Sequence, residues 1–183
     1  MNRTILYIAE SLDGFIAGKD DDLSWLEPYA GKDHGFNEFL STIGAIIVGR
    51  RTHDIEVAHG WDNAHLKPTF VVTHRGPGRE PRRKDIFFTS EDIAEIVKKA
   101  KAMTQKDIWL EGGADLARQF LERKLIDEIV VSIIPVIMGE GTPLFDDLEM
   151  RLPLTLRRAK HFDGGIVQLV YIPAVGPAPQ QGC

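Results

Sequence analysis

Seven short apolar runs recur along the chain, each bounded by turn-forming residues. They are Thr4–Ala9, Ala45–Val48, Phe70–Thr73, Ile86–Phe88, Ile108–Leu110, Ile129–Pro135 and Ile166–Ile172. Runs of this length predict buried strands. The middle four are nearly continuous in apolar residues rather than alternating, the pattern of strands covered on both faces of a parallel sheet.

Helical periodicity falls between these runs. In Glu91–Met103, the residues Ile93, Ile96, Val97 and Ala100 form one stripe,. Ser90 is the expected N-cap, with Glu91 and Asp92 complementing the positive end of the helix dipole. Leu116, Ala117, Phe120 and Leu121 repeat the pattern within Ala114–Arg123. A shorter helix is expected over Asp33–Leu40, and another just after Gly49. Strands alternating with helices imply a parallel α/β sheet.

The last third changes character. Between Ile129–Met138 and Ile166–Ile172 lie the loop signals Gly139, Gly141, Pro143 and Pro153 and a hairpin-type turn, Asp163-Gly164-Gly165,. A terminal hairpin adds an antiparallel edge to the sheet. Residues 173–183 read as a flexible tail, so the folded domain is expected to span residues 1–172.

The length of 183 residues suits one domain at about 150 residues each,. With 43% hydrophobic and 27% charged residues, the chain is not of the disordered class,. A net charge of −5 excludes a general nucleic-acid footprint, so any anion site must be local,. Cys183 is the single cysteine and sits at the chain end, which excludes an internal disulfide and fits a reducing compartment,. No apolar segment is long enough to span a bilayer, so a cytoplasmic location with no membrane partner is expected.

Four places carry candidate chemistry. Gly49-Arg50-Arg51-Thr52 follows a strand and opens a helix, where backbone N–H groups and guanidinium donors can receive an anion. Spacing alone does not separate this from a turn with solvated arginines. Glu111-Gly112-Gly113-Ala114 is a second such turn, whose paired glycines allow close backbone approach. Two anion-ready turns in one small domain point toward a dinucleotide. The basic residues Arg75, Arg79, Arg82, Arg83 and Lys84 follow the Phe70–Thr73 strand, and Arg75 is nearest to its end,. Ser11-Leu12-Asp13-Gly14 is, as local chemistry, only a turn. His53, His59, His65 and His74 lie near Asp54 and Asp62 but match no zinc-ligand spacing, so no metal is expected.

The segments SLDGFIA, VGRRTHD and EGGADLARQFLERKLIDEIVVSIIPVIMGEGTPLF resemble the dihydrofolate reductase-like superfamily. Within it, the chain resembles the reductase domain of riboflavin-biosynthesis deaminase-reductases and its stand-alone bacterial relatives, from about Ile5 to Tyr171. The resemblance implies a three-layer α/β fold around a mostly parallel sheet with a C-terminal antiparallel edge, and NADPH as hydride donor. It places Gly49, Arg50, Arg51 and Thr52 at the cofactor phosphates, and Gly112, Gly113 and Ala114 at the diphosphate. Thr73, His74 and Arg75 fall near the adenosine 2′-phosphate, and Ala9 and Ile16 beside the nicotinamide. Arg51 and Arg75 are expected to read the 2′-phosphate together, with Arg50 on the helix side.

On the substrate side the chain departs from riboflavin-type reductases. Tyr7 stands where a lysine is usual, and Phe15 where a basic residue follows SLDG. Glu111 matches the riboflavin-type pattern, whereas GRRT is closer to dihydrofolate reductases. Asp13 and Glu111 are the expected polar groups at the substrate. Asp33 is either the acid of a pterin reductase or a helix cap. Residues 23–36 are expected to cover the open face of the nicotinamide. The resemblance favours a reductase of the riboflavin-pathway ribosylamino-pyrimidine; a dihydrofolate or other pterin reductase is the alternative, and a nucleotide-binding domain without activity a further one. Apolar strands at the end of the sheet, and the habit of similar proteins, imply a homodimer.

Overall fold

The computed structural model describes residues 2–61, 66–75 and 83–174. Among the described residues, ten strands and four α-helices follow one another. The strands are β1 (Thr4–Ser11), β2 (Phe15–Ala17), β3 (Ile43–Gly49), β4 (Thr69–Val72), β5 (Ile86–Thr89), β6 (Asp107–Gly112), β7 (Glu128–Ile134), β8 (Thr142–Pro143), β9 (Leu154–His161) and β10 (Val167–Pro173). The helices are α1 (Phe36–Thr42), α2 (Arg50–His59), α3 (Ile93–Ala102) and α4 (Ala114–Glu122).

Eight strands form one sheet in the order β5-β4-β3-β6-β1-β7-β10-β9, and β2 pairs with β8 apart from it. From β5 to β7 every pairing is parallel, while β10 runs antiparallel to both β7 and β9. All seven sequence-predicted strands are therefore present. The chain order reverses around β6, which is inserted between β3 and β1. Ligands of open α/β sheets bind outside the carboxyl ends of strands at such a reversal.

Each face of the sheet has its own core. On one, α3 and α4 bury Ile93, Ile96, Leu116 and Phe120 against Leu6, Ile47 and Leu110. On the other, Phe36 and Phe39 of α1 pack against a cluster of Ile46, Val48, Val71 and Trp109. The near-continuous apolar strands follow from this double cover. Phe120 is fully buried, and removing such a ring costs about 3–5 kcal/mol,.

Several boundaries differ from expectation. Strand β9 lies where only loop was expected. All eight of its residues are exposed, so its sequence shows no apolar alternation; backbone pairing with β10 holds it. The Asp163-Gly164-Gly165 turn does join two strands, with Gly164 and Gly165 both at φ 86°. Strand β10 extends to Pro173, and Ala174 N–H donates to the Pro153 carbonyl at 2.8 Å. The α3 cap is Asp92, which accepts from Ala94 N–H at 2.9 Å, in place of Ser90. Helix α1 begins at Phe36 instead of Asp33.

Candidate active site

The two glycine turns meet at the centre of the sheet. Strand β3 ends in Gly49 and β6 in Gly112, and Val48 lies in register with Gly112. The Gly112–Gly113 peptide is cis, and Gly112 has φ 111°. A Cβ on Gly49 would stand 3.4 Å from the Gly112 carbonyl oxygen, and one on Gly113 would stand 3.2 Å from Thr52 Oγ1. Larger residues would push the turns apart. Gly49 and Gly113 are also the N-caps of α2 and α4, and neither helix start is capped by a side chain. Two dipole-positive N-termini thus face one groove, the arrangement that receives a diphosphate.

The groove encloses about 2420 Å³, beyond the roughly 300–1,000 Å³ of a single small-ligand cleft. Ala9, Ile16, Gly49, Thr52, Gly113 and Ala114 line it, as do Arg50, Arg51, Thr73, His74, Arg75 and Glu111. Gly112 is buried behind Gly113. Leu23, Leu26 and Phe36 also line the groove, so residues 23–36 contribute an apolar wall to it.

The three arginines diverge. Neighbours on a helix point about 100° apart, so Arg50 and Arg51 cannot serve the same side. The Arg50 guanidinium lies 5.4 Å from the Phe88 ring centroid on β5 and pairs with Asp54 at 2.8 Å. Arg51 turns the other way and pairs with Asp21, beyond β2, at 2.6 Å. Arg75 follows β4, where its N–H donates to Thr73 Oγ1 at 3.0 Å. Because β4 lies between β3 and β5, Arg50 is on Arg75's side of the groove. Arg83 pairs with Asp85 at 2.6 Å, while Arg79 and Arg82 lie outside the described residues.

The three expected carboxylates part company as well. Asp13 does not line the groove; it accepts from Ser11 Oγ at 2.7 Å, Gly139 N–H at 2.7 Å and Met138 N–H at 3.1 Å. These donors, the Ser11 hydroxyl foremost, lower its pKa to about 2. Asp33 accepts from Asn37 N–H at 2.7 Å and Gly35 N–H at 3.2 Å, the cap arrangement at the start of α1, and does not line the groove. Glu111 alone of the three stands in the groove. Burial, then the charge of Glu56 and a hydrogen bond with it, raise the Glu111 carboxyl well above its usual pKa. Glu56 escaped the sequence reading. Its signal was its place on α2 four residues after Thr52, which puts both on the face toward β6.

Beside Glu111 the wall is aromatic. Trp109 and Phe36 pack edge to face at 5.6 Å between centroids, and Phe39 stacks on Tyr7 at 4.1 Å. Gln168 Nε2 donates to the Tyr7 hydroxyl and to Ser132 Oγ, each at 3.2 Å. The Tyr7 position is thus a neutral, hydrogen-bonded one. His53 is buried against Phe88, His59 stacks on Trp61, and His65 lies outside the described residues. Among the described residues, no cluster of three or more His, Cys, Asp or Glu side chains could hold a metal. No described helix is long and apolar enough to cross a membrane.

The architecture is that of the dihydrofolate reductase-like α/β class. Dihydrofolate reductase from Enterococcus faecalis, solved with NADP(H), superposes with a TM-score of 0.68 over 93% of this chain and 96% of its own, at 17% identity. That likeness concerns the fold alone. The sequence matches the RibD C-terminal domain over residues 3–168, and the chain belongs to that family. The Bacillus subtilis protein YyaP, itself uncharacterized, is 36% identical over 183 residues, covering 92% of this chain and 94% of YyaP. A crystal structure from Shewanella sp. PV-4, under a provisional riboflavin-biosynthesis name, gives a TM-score of 0.85 at 27% identity and covers 94% of this chain and 99% of its own.

Proposed function

We propose that the protein is a cytoplasmic NADPH-dependent reductase of a small heterocyclic substrate, with 5-amino-6-(5-phosphoribosylamino)uracil, the riboflavin-pathway ribosylamino-pyrimidine, as that substrate. The observation that carries the reading is the contact of the Gly49 and Gly113 turns, which brings two helix N-termini without side-chain caps to one groove. The residues present fit the cofactor: backbone N–H groups of α2 and α4 for the diphosphate, Thr52 beside them, Arg50 and Arg75 for a 2′-phosphate, and Ala9 and Ile16 for the nicotinamide. When bound, NADPH supplies the hydride.

Reducing a C=N or C=O group also requires a proton on the heteroatom. Glu111 is the groove carboxyl whose pKa is raised well above the usual carboxylate value, by burial first and then by Glu56, which suits it to hold and give a proton,. Leu23, Leu26, Phe36 and Trp109 exclude water from the reacting face, and the planar Trp109 and Phe36 rings suit a heterocycle. The test is incubation of the purified protein with the deaminated pathway intermediate and NADPH. Cofactor-dependent loss of absorbance is expected, and none at saturating enzyme would overturn the substrate assignment.

A dihydropterin is the second reading, favoured by the neutral Tyr7 position and the aromatic wall. Turnover of dihydrofolate with NADPH would support it. Tight NADPH binding with no turnover of either substrate class would instead mark a nucleotide-binding module. We further propose a homodimer, supported by the outermost strand β9, which leaves Leu154 and Leu156 exposed on a sheet edge that no other strand among the described residues pairs with,.

A further inference from the structure

We propose that Glu56, on the second turn of α2, is a positioning residue that shares one proton with Glu111 and so keeps Glu111 armed as the acid of the groove. The inference rests on the reductase reading for its purpose, and on the geometry of the pair for its existence.

Glu56 and Glu111 reach the groove from different elements, one from α2 and one from the end of β6. Their side chains are joined by a hydrogen bond. Two carboxylates accept and do not donate, so a hydrogen bond between them requires a proton on one. Like charges at such a distance cannot both ionise. The Glu111 carboxyl is held well above its usual pKa, by burial first and then by the Glu56 charge and hydrogen bond, so the shared proton is assigned to Glu111.

The neighbouring ionisable groups leave this arrangement in place. On α2, Arg50 is engaged by Asp54, Arg51 by Asp21, and His53 packs on Phe88. On α4, Asp115 is held by Arg118 at 2.6 Å. On β1, the Tyr7 phenol is held by Gln168. In turnover, the Glu111 O–H bond breaks as a substrate N–H or O–H bond forms, and NADPH supplies the hydride. The Glu111 carboxylate then faces ionised Glu56, and this repulsion favours its reprotonation by water.

The pair is read without substrate by carboxyl-carbon NMR of glutamate-labelled protein across pH. In wild type, one glutamate resonance is expected to titrate well above the ordinary carboxylate range and to vanish in Glu111→Gln. In Glu56→Gln, the loss of the neighbouring charge should move that midpoint down by about one pH unit, while Glu56→Asp restores most of the shift. If every glutamate in wild type titrates in the ordinary carboxylate range, the proposal is overturned, and this measurement needs no variant to fold. An unmoved midpoint in folded Glu56→Gln also overturns it. Once a substrate is in hand, the alkaline limb of the kcat/KM profile should move with the NMR midpoint. A purely structural Glu56 would lower the rate and leave the limb where it was. Absence of turnover on every substrate tried bears on the reductase reading and leaves the NMR result standing.

Discussion

The Trp109 indole N–H donates to the Tyr7 carbonyl at 3.0 Å, just past the point where the β1–β6 ladder ends at Leu6 and Leu110. The two strands part there, and the groove opens between their carboxyl ends. A side chain of β6 thus satisfies the backbone acceptor that the parting leaves on β1, while the same indole forms part of the aromatic wall. Trp109→Phe keeps a ring but removes the donor. We expect a stability loss of about 1–3 kcal/mol in urea denaturation, the cost of an acceptor left unpaired in a buried place. An unchanged midpoint would show that water replaces the indole.

Asp13 and Glu111 give stability opposite dependences on pH. Asp13 has a folded pKa of about 2, below its usual 3.8, so its contribution is present above pH 3.8 and is lost as pH falls toward 2,. For Glu111 the folded pKa is raised above 4.5, so its protonated form stabilises the fold below 4.5 and that contribution is lost as pH rises through the folded value,. Denaturation midpoints measured across pH should show Asp13→Asn flattening the acid limb and Glu111→Gln flattening the decline above pH 4.5,. Coincidence of either variant's curve with the wild-type shape would count against the corresponding environment.

The Gly113 position tests the phosphate cradle. A methyl at Gly113 would stand 3.2 Å from Thr52 Oγ1, so Gly113→Ala must displace either Thr52 or the start of α4. NADPH affinity, followed by calorimetry, should fall roughly tenfold or more, since about 1.4 kcal/mol of lost backbone contact suffices for that. Thr52→Ala makes room for the methyl, and the double variant should recover part of the loss. Equal NADPH affinity in Gly113→Ala and wild type would remove this turn from the cofactor site.

The strands of the core were legible because burial on two faces leaves an apolar run that little else produces, as in Ala45–Val48. Strand β9 was not, because its stabilisation is backbone pairing with β10, and its exposed Arg157, Arg158 and Lys160 carry no burial signal. The glycine turns were legible as turns, but their mutual contact was not, since Gly49 and Gly113 lie far apart in the chain and meet only through the β3–β6 register. Glu56 was hidden for the same reason. Its helix was expected, but the carboxyl that it faces belongs to another strand. Asp13 and Asp33 read as candidate acids because an aspartate in a turn looks alike whether it meets substrate or backbone N–H groups.

The outer edge predicts the assembly. Strand β9 exposes Leu154 and Leu156 at 41% and 51%, on an edge with no neighbouring strand among the described residues. Covering such an edge with a second copy would pair its backbone and bury those leucines. Light scattering at micromolar concentration should return twice the chain mass of 20.5 kDa, and Leu156→Glu should shift it to the monomer. A monomeric wild type would refute the dimer.

The side of the groove taken by each arginine decides how NADPH is told from NADH. The cofactors differ only in the phosphate at the adenosine 2′ position, so discrimination requires a cation there. Arg50 is turned toward β5, over Phe88, and so shares a side with Arg75 at the end of β4. Arg51 is turned the other way, toward Asp21; since Arg50 is likewise paired, with Asp54, it is the side of the groove that separates the two. A charge-assisted hydrogen bond contributes about 1.5–3 kcal/mol, and roughly 1.4 kcal/mol is tenfold in affinity. Arg50→Ala and Arg75→Ala should therefore each reduce the NADPH preference by about tenfold or more, with little change in NADH affinity. Arg51→Ala should leave the preference nearly intact. The effect should weaken with salt, because charges at an exposed rim are screened over about 8 Å at physiological ionic strength. Dissociation constants for both cofactors, measured for the three variants at two salt concentrations, check each step. If Arg51→Ala abolishes the preference and Arg50→Ala does not, the 2′-phosphate lies on the Asp21 side and the assignment of the groove's two ends must be reversed.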